Sequence, residues 1–237
     1  GDYLIGRLAS AAPESLLADV PIRYADYAPE NFDRKFAGPI SATQALVSSR
    51  NIPALELARQ LREPSLYELL QRSKLRRLGP STRYGASLAL GAVELSMREL
   101  AALYVALAHD GELRPLRSVP RKSRDVPDAP TRLLSPEASF LVLDMLSKNP
   151  RPQRLLHLGA PRDQIAWKTG TSWGFRDGWT VGVAGPYVVA VWVGDFAGRG
   201  DASFTGLKAA APLFFDLVEA LLPAGAGRFV PPPALIK

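Results

Sequence analysis

Apolar residues recur at three- and four-residue spacing along the first part of this chain and alternate singly after Gly159, so helices are expected first and a sheet after them. Ser41 with Gln44 has capping-box spacing, which predicts a short helix over 42–48 that stops at the turn Ser49-Arg50-Asn51. Pro53 suits the first turn of a second helix reaching Leu61. Ser65 with Glu68 starts a third, running to about Arg77 and ended by Gly79-Pro80. The same box, Ser96 with Glu99, precedes the stripe Leu100, Leu103, Tyr104 and Leu107, closed by Gly111. Ser135-Pro136-Glu137 opens a helix through Ser147 that is apolar on most sides and therefore expected inside.

The strand-like runs are Ile165 to Thr171, Gly178 to Ala184 and Tyr187 to Asp195, with Gly185-Pro186 as a hairpin turn. Leu207, Ala210, Ala211, Phe214, Val218 and Leu221 then form one face of a closing helix able to cover that sheet. Asp2 to Ala11 reads as the tail of a helix begun earlier. Residues 17–38 lack a period and read as an extended surface loop with few core candidates. Glu112 to Arg132 reads as a basic, proline-punctuated excursion, and Pro231 to Pro233 as a departing linker. Helices, then an antiparallel meander, then a covering helix make an α+β fold.

Composition narrows this picture without redirecting it. At 237 residues, 47% hydrophobic and 22% charged, the chain can bury a substantial core and fits one large domain. The absence of cysteine excludes disulfides, thiolate metal sites and a cysteine nucleophile, and leaves the compartment open. His109 and His157 stand far apart near predicted helix ends, so a solvated pair is expected rather than a metal cluster, and no cofactor is implied. A net charge of +6 concentrates at Lys74, Arg76, Arg77 and Arg83 and at Arg114, Arg117, Arg121, Lys122 and Arg124. Neither run is interleaved with aromatics as a base-stacking platform would be, so a solvated or membrane-proximal face is preferred to a nucleic-acid site.

Two short patterns carry candidate chemistry. Lys168-Thr169-Gly170-Thr171 stands on a predicted strand. An edge strand can accept an extended peptide, a glycine lets a backbone approach, and a lysine beside a hydroxyl can hold a carboxylate. A surface lysine ahead of an ordinary hairpin accounts for the four residues equally well. Ser49 and Asn51, two apart on a tight turn, can pass a proton and hold a carbonyl. Capping of the helix near Pro53 is the simpler account of that tripeptide taken alone.

Their order and separation change the balance. Ser-x-Asn on an inter-helical turn followed by Lys-Thr-Gly on the first strand of a meander resembles the second and third parts of the signature of penicillin-binding proteins and serine β-lactamases. The segments "ESLLADVP", "NFDRKFAGPISATQALVSSRNIPA", "SLALGAVELSMRELAALYVALAHDG" and "WKTGTSWGFRDGWTVG" resemble the transpeptidase domain of class A penicillin-binding proteins, particularly the 1C branch. The resemblance implies a β-lactamase/transpeptidase-like fold, an antiparallel sheet covered by helices with a helical subdomain, over residues 1–230. Residues 41–157 would carry Ser-x-Asn, 163–222 would carry Lys-Thr-Gly-Thr, and 231–237 would be a linker. It implies Ser49 as proton shuttle to the leaving amine, Asn51 as holder of the acyl-donor side chain, and Lys168 as the group keeping the second motif poised. Thr169 and Thr171, around Gly170, would bind the terminal carboxylate of a D-Ala-D-Ala stem or a β-lactam, with the Thr171 N–H in the oxyanion hole. Arg176, Asp177 and Trp179 match the branch pattern and are read as hairpin architecture.

The first part of that signature, Ser-x-x-Lys, which supplies the nucleophile, occurs nowhere in these residues. The expectation is therefore a D,D-transpeptidase domain whose N-terminal part lies upstream, in a bifunctional synthase anchored at the periplasmic face of the inner membrane by a segment outside this chain. This chain alone is expected to be inactive. Its partners would be D-Ala-D-Ala donor and amine acceptor stem peptides, β-lactams and the upstream part of the same protein, with no nucleic acid. The rival readings are a non-catalytic peptidoglycan- or partner-binding module on the same fold, and a D,D-carboxypeptidase or β-lactamase that uses water as acceptor.

Overall fold

The computed structural model describes residues 12–23, 28–61, 63–119, 129–152, 164–222 and 227–235. The expected helix tail at Asp2 to Ala11, His157 and the basic residues Arg121, Lys122 and Arg124 lie outside them.

The chain first forms a two-stranded antiparallel ribbon, β1 (Leu16–Asp19) on β2 (Gly38–Ser41), with Leu16 opposite Ser41 and Asp19 opposite Gly38. This corrects the reading of residues 17–38 as a peripheral loop. Asp19 is wholly buried and Asn31 nearly so. Polar residues that enter an interior by bonding to one another leave no hydrophobic period to read.

Helices follow where caps were expected. α1 (Ala42–Val47) starts with the Gln44 N–H donating to Ser41 Oγ at 3.1 Å, and α2 is Asn51–Gln60. α3 (Leu66–Arg72) and α4 (Met97–Ala108) both carry complete capping boxes, Ser65 with Glu68 and Ser96 with Glu99. α3 ends at Arg72 rather than near Arg77. Ser73 Oγ bonds back to the Leu69 carbonyl at 3.1 Å and Lys74 turns left-handed, so the helix is closed before Gly79-Pro80. Residues Gly85–Leu90 form a 3₁₀ stretch that the pattern does not announce. α5 (Pro136–Ser147) matches its expected bounds. The two ends of the basic excursion pair as β3 (Glu112–Leu113) and β4 (Thr131–Arg132), which makes its base part of the fold.

The sheet has the order β5-β6-β7, all antiparallel: β5 is Ile165–Thr171, β6 is Asp177–Ala184 and β7 is Tyr187–Gly194. One face packs on α4, the other on α6 (Ala211–Leu221), which a single π-turn, Gly206–Ala210, leads into. Period-two alternation sorts the side chains of β5. Ile165 and Trp167 go to the α6 side, where Trp167 stacks on Phe214 and meets Phe215 edge-on. Ala166 joins the helical core with Leu103, Leu107, Val142 and Leu146, and Lys168, two residues on, faces the same side. The helical core thus ends where Lys168 begins.

Gly206 clamps the closing element to the sheet. Its N–H donates to Thr171 Oγ1, and its carbonyl accepts from the buried Thr180 hydroxyl, both at 3.1 Å. A Cβ there would stand 2.3 Å from the Trp179 carbonyl oxygen and 2.6 Å from that of Gly170. Those are backbone atoms of paired strands and have no room to yield. Gly206→Ala is expected to cost about 3 kcal/mol, the upper part of the range for overpacking, read as a lower urea midpoint at unchanged slope. A shift below a quarter of that would mean that the π-turn slides freely on the strand.

Candidate active site

The turn between α1 and α2 is tight and strained. The Ser49 N–H donates to the Leu46 carbonyl at 3.1 Å and the Arg50 N–H to that of Ala45 at 2.9 Å. Ser49 has φ +53°, a left-handed conformation that costs a residue with a Cβ about 1–2 kcal/mol. The N-cap of α2 is Arg50, and its own side chain makes no capping bond. Neither Ser49 nor Asn51 therefore caps the helix near Pro53, which removes the simpler account of the tripeptide. What the left-handed turn accomplishes is to aim Ser49 at the sheet. Lys168 Nζ donates to Ser49 Oγ across 119 residues of sequence, and also to the Thr169 carbonyl at 2.8 Å. An ammonium that occupies a lone pair of the hydroxyl oxygen leaves the hydroxyl proton pointing elsewhere.

Arg50 and Asn51 are held from below by the chain between β1 and β2. Arg50 donates through Nε to Asp19 Oδ2 at 2.8 Å, through Nη1 to Asp33 Oδ2 at 3.0 Å, and through Nη2 to the Lys35 carbonyl. Asn31 accepts the Asn51 N–H at 2.8 Å and donates to Asp19 Oδ1 at 2.6 Å and to the Lys35 carbonyl at 2.8 Å. Asn51 Nδ2 donates to the Glu30 carbonyl at 2.8 Å, which uses one of its two amide protons. Burial pushes the Asp19 carboxyl upward, but the bonds from Asn31, the Ala37 N–H and Arg50, with the guanidinium charge, outweigh it and hold it below its ordinary range. Burial likewise disfavours the Arg50 charge, and its bonds to Asp19 and Asp33 more than compensate. At Asp33 the Lys35 N–H, then Arg50, lowers the carboxyl.

The facing wall is the free edge of β5. β6 pairs with one side of this strand, and among the described residues no strand pairs with the other. The Trp167 carbonyl accepts from Asn149 Nδ2 at 3.1 Å, so it points away from β6 and Asn149 covers the edge there. By alternation the backbone groups of Thr169 and Thr171 point to the same open side. Gly170 and Thr171 are exposed. Lys168, Thr169, Gly170 and Thr171 thus border an open strip opposite Ser49, whereas the Thr171 side chain is turned to Gly206 and keeps its hydroxyl proton to donate.

Phe32 bridges the two walls at one end, meeting the ring of Phe175 edge-on with centroids 5.9 Å apart. Arg176 is exposed, and Asp177 accepts the Trp192 indole N–H at 2.8 Å, as hairpin architecture requires. Asp19, Asn31 and Phe32 are the participants that sequence reasoning missed. Their one signal was their place in the segments that carry the resemblance, Asp19 in "ESLLADVP" and Asn31 and Phe32 in "NFDRKFAG". His109 is exposed at the end of α4, and among the described residues no group of three or more His, Cys, Asp or Glu is arranged to hold a metal.

Comparison with known proteins bears on the family and the fold. The family model described as "Penicillin binding protein transpeptidase domain" matches residues 11–219. Penicillin-binding protein 1C of Escherichia coli is 36% identical over 218 residues, 89% of this chain and 27% of that protein. Penicillin-binding protein 1A of Aquifex aeolicus is 30% identical over 209 residues, 84% and 28% respectively. The chain therefore spans little more than a quarter of these relatives. Among solved structures, penicillin-binding protein 1A of Haemophilus influenzae superposes with a TM-score of 0.78 at 20% identity, over 98% of this chain and 42% of that one. PonA1 of Mycobacterium tuberculosis in complex with penicillin V gives 0.70 at 19% identity, over 98% and 73%. With a matching family model over most of its length and the two motifs facing each other across one groove, this chain belongs to the penicillin-binding protein transpeptidase family.

Proposed function

We propose that Ser49, Asn51 and Lys168 are the acid–base and positioning part of a serine D,D-transpeptidase centre, acting on D-Ala-D-Ala stem peptides in a cell-wall synthase at the periplasmic face of the inner membrane. The observation that carries this is the bond from Lys168 Nζ to Ser49 Oγ at the open edge of β5. The serine of a Ser-x-x-Lys segment attacks the penultimate D-Ala carbonyl. A carbon–oxygen bond forms while the lysine of that segment takes the attacking serine's proton, the peptide carbon–nitrogen bond breaks, and the Ser49 hydroxyl hands its proton to the departing amine and regains one from that lysine. The Lys168 charge stabilises the oxygen left behind. An amine of a second stem then attacks the ester, forming the cross-link and returning the serine hydroxyl. Thr169 and Thr171 hold the terminal carboxylate, Gly170 admits the peptide backbone, the Thr171 N–H receives the oxyanion, and Asn51 holds the donor side chain. β-Lactams enter by the same route.

These 237 residues contain no Ser-x-x-Lys, so this chain alone forms no acyl-enzyme. Joined at its amino terminus to a Ser-x-x-Lys segment from a family member, it is expected to take up a fluorescent penicillin as a denaturation-resistant adduct on the added serine. A folded joined chain that binds the probe only reversibly would sink the acyl-transfer reading and favour a binding module. An adduct on Ser49 in the chain by itself would overturn the shuttle role.

A further inference from the structure

We propose that Asn31, seated on Asp19, is a positioning residue of this centre, holding Ser49 and Asn51 in the geometry that acyl transfer needs; the proposal rests on the acyl-transfer reading above. The two residues are among the most deeply buried polar groups of the described chain. Burying a carboxylate and an amide is unfavourable unless every bond is made. The bonds made here converge on one place. Asn31 spends its oxygen on the Asn51 N–H and its nitrogen on Asp19 and the Lys35 carbonyl, while Asp19 receives Asn31, the Ala37 N–H and Arg50. Two residues of the Ser-x-Asn turn are thereby tied to the end of β1 and the segment that follows it, Arg50 by three bonds and Asn51 by its N–H and its side chain, and Ser49 adjoins Arg50 at φ +53°.

A left-handed serine persists only where its surroundings over-determine it. Remove the Asn31 oxygen and the Asn51 N–H, at the first turn of α2, loses its acceptor. The turn is then free to relax, and Ser49 Oγ leaves Lys168. Asn31 touches no reacting atom in this scheme, so it acts through its neighbours: through Ser49 on the rate from bound complex to ester, and through Asn51 on the hold on the donor side chain.

The test uses the chain joined to a Ser-x-x-Lys segment, with a fluorescent penicillin as probe, and separates the saturating acylation rate from the half-saturating concentration. Asn31→Ala is expected to lower the saturating rate on the order of tenfold to hundredfold, as small misplacements of catalytic groups do, and to raise the half-saturating concentration by a smaller factor through Asn51. The Asn51 amide should exchange with solvent much faster. Asn31→Asp supplies a readout that a purely structural role would not move. The carboxyl it introduces faces Asp19, with the Arg50 guanidinium beyond and Asp33 on the far side of that guanidinium, while Glu30 presents its backbone carbonyl and Lys35 its backbone carbonyl and N–H to this cluster. Two carboxyls at that separation share a proton when the pH is low enough. Once protonated, the introduced carboxyl can donate to Asp19 while its other oxygen accepts the Asn51 N–H. The rate of Asn31→Asp relative to the unsubstituted chain should therefore rise as pH falls from about 8 to about 5, and that of Asn31→Ala should not. Equal saturating rates for Asn31→Ala and the unsubstituted chain, or losses that follow the unfolded fraction alone, would overturn the positioning role. A joined chain that is never acylated even without substitution fails the transpeptidase reading itself and takes this proposal with it.

Discussion

Lys168→Ala in the joined chain is expected to slow acylation by a fluorescent penicillin by about 10²–10³-fold, the loss seen when one preorganised donor is taken from a developing negative charge. The thermal midpoint should hardly move. Lys168 lies where β5 leaves the helical core, its ammonium reaches to Ser49 at the groove, and the strand keeps all its pairs with β6. Lys168→Arg should recover only part of the rate, because a planar fork cannot occupy the place of a compact ammonium between Ser49 Oγ and the Thr169 carbonyl. Ser49→Ala should cost about as much, and the double substitution little more than either, since residues acting as one unit give non-additive losses. Additive losses in that cycle would show that the bond between them is incidental. Near-normal labelling of Lys168→Ala would remove the strand from the catalytic assignment.

Asp19→Ala is expected to destabilise the fold by about 3–5 kcal/mol, the usual penalty for leaving a buried charge without its partner. Arg50 would keep Asp33, but that carboxylate is half exposed, whereas Asp19 is fully enclosed and also receives Asn31 and the Ala37 N–H. The measurement is urea unfolding, and a loss below about 1 kcal/mol would mean that water replaces the carboxylate, contrary to its burial. A pH dependence follows with a definite sign. The Asp19 carboxyl is held below its ordinary value of 3.8, so its contribution is complete above the unfolded value and is lost as pH falls through the folded one. The acid limb of stability below about pH 4 should therefore be shallower in Asp19→Asn than in the unsubstituted chain. An unchanged limb would place the acid-sensitive carboxylates elsewhere.

Legibility in the sequence followed the range of the interactions involved. The boxes Ser65 with Glu68 and Ser96 with Glu99 close within one turn, and both are readable before any tertiary contact is known. The sheet is equally plain, since β5, β6 and β7 obey a period of two and Gly185 makes their turn at φ +53°. The spacing extends α3 too far because the helix end depends on Ser73 bonding back to Leu69, a choice that a hydrophobic stripe does not encode. The ribbon of β1 and β2 escapes the pattern for a related reason. Its buried members are polar, and only the folded chain supplies their partners.

By itself, the sequence determined a helical part followed by a meander, a glycine-containing Lys-Thr-Gly-Thr strand, and a Ser-x-Asn turn between two helices, all through spacing and local bonds. Tertiary structure alone decided that Ser49 is not a cap, that Lys168 reaches it, and that Asp19 and Asn31 hold the turn from beneath through Arg50 and Asn51. Those decisions join residues whose separations no local pattern records. They are made by packing and by the strong tendency of buried polar groups to find partners.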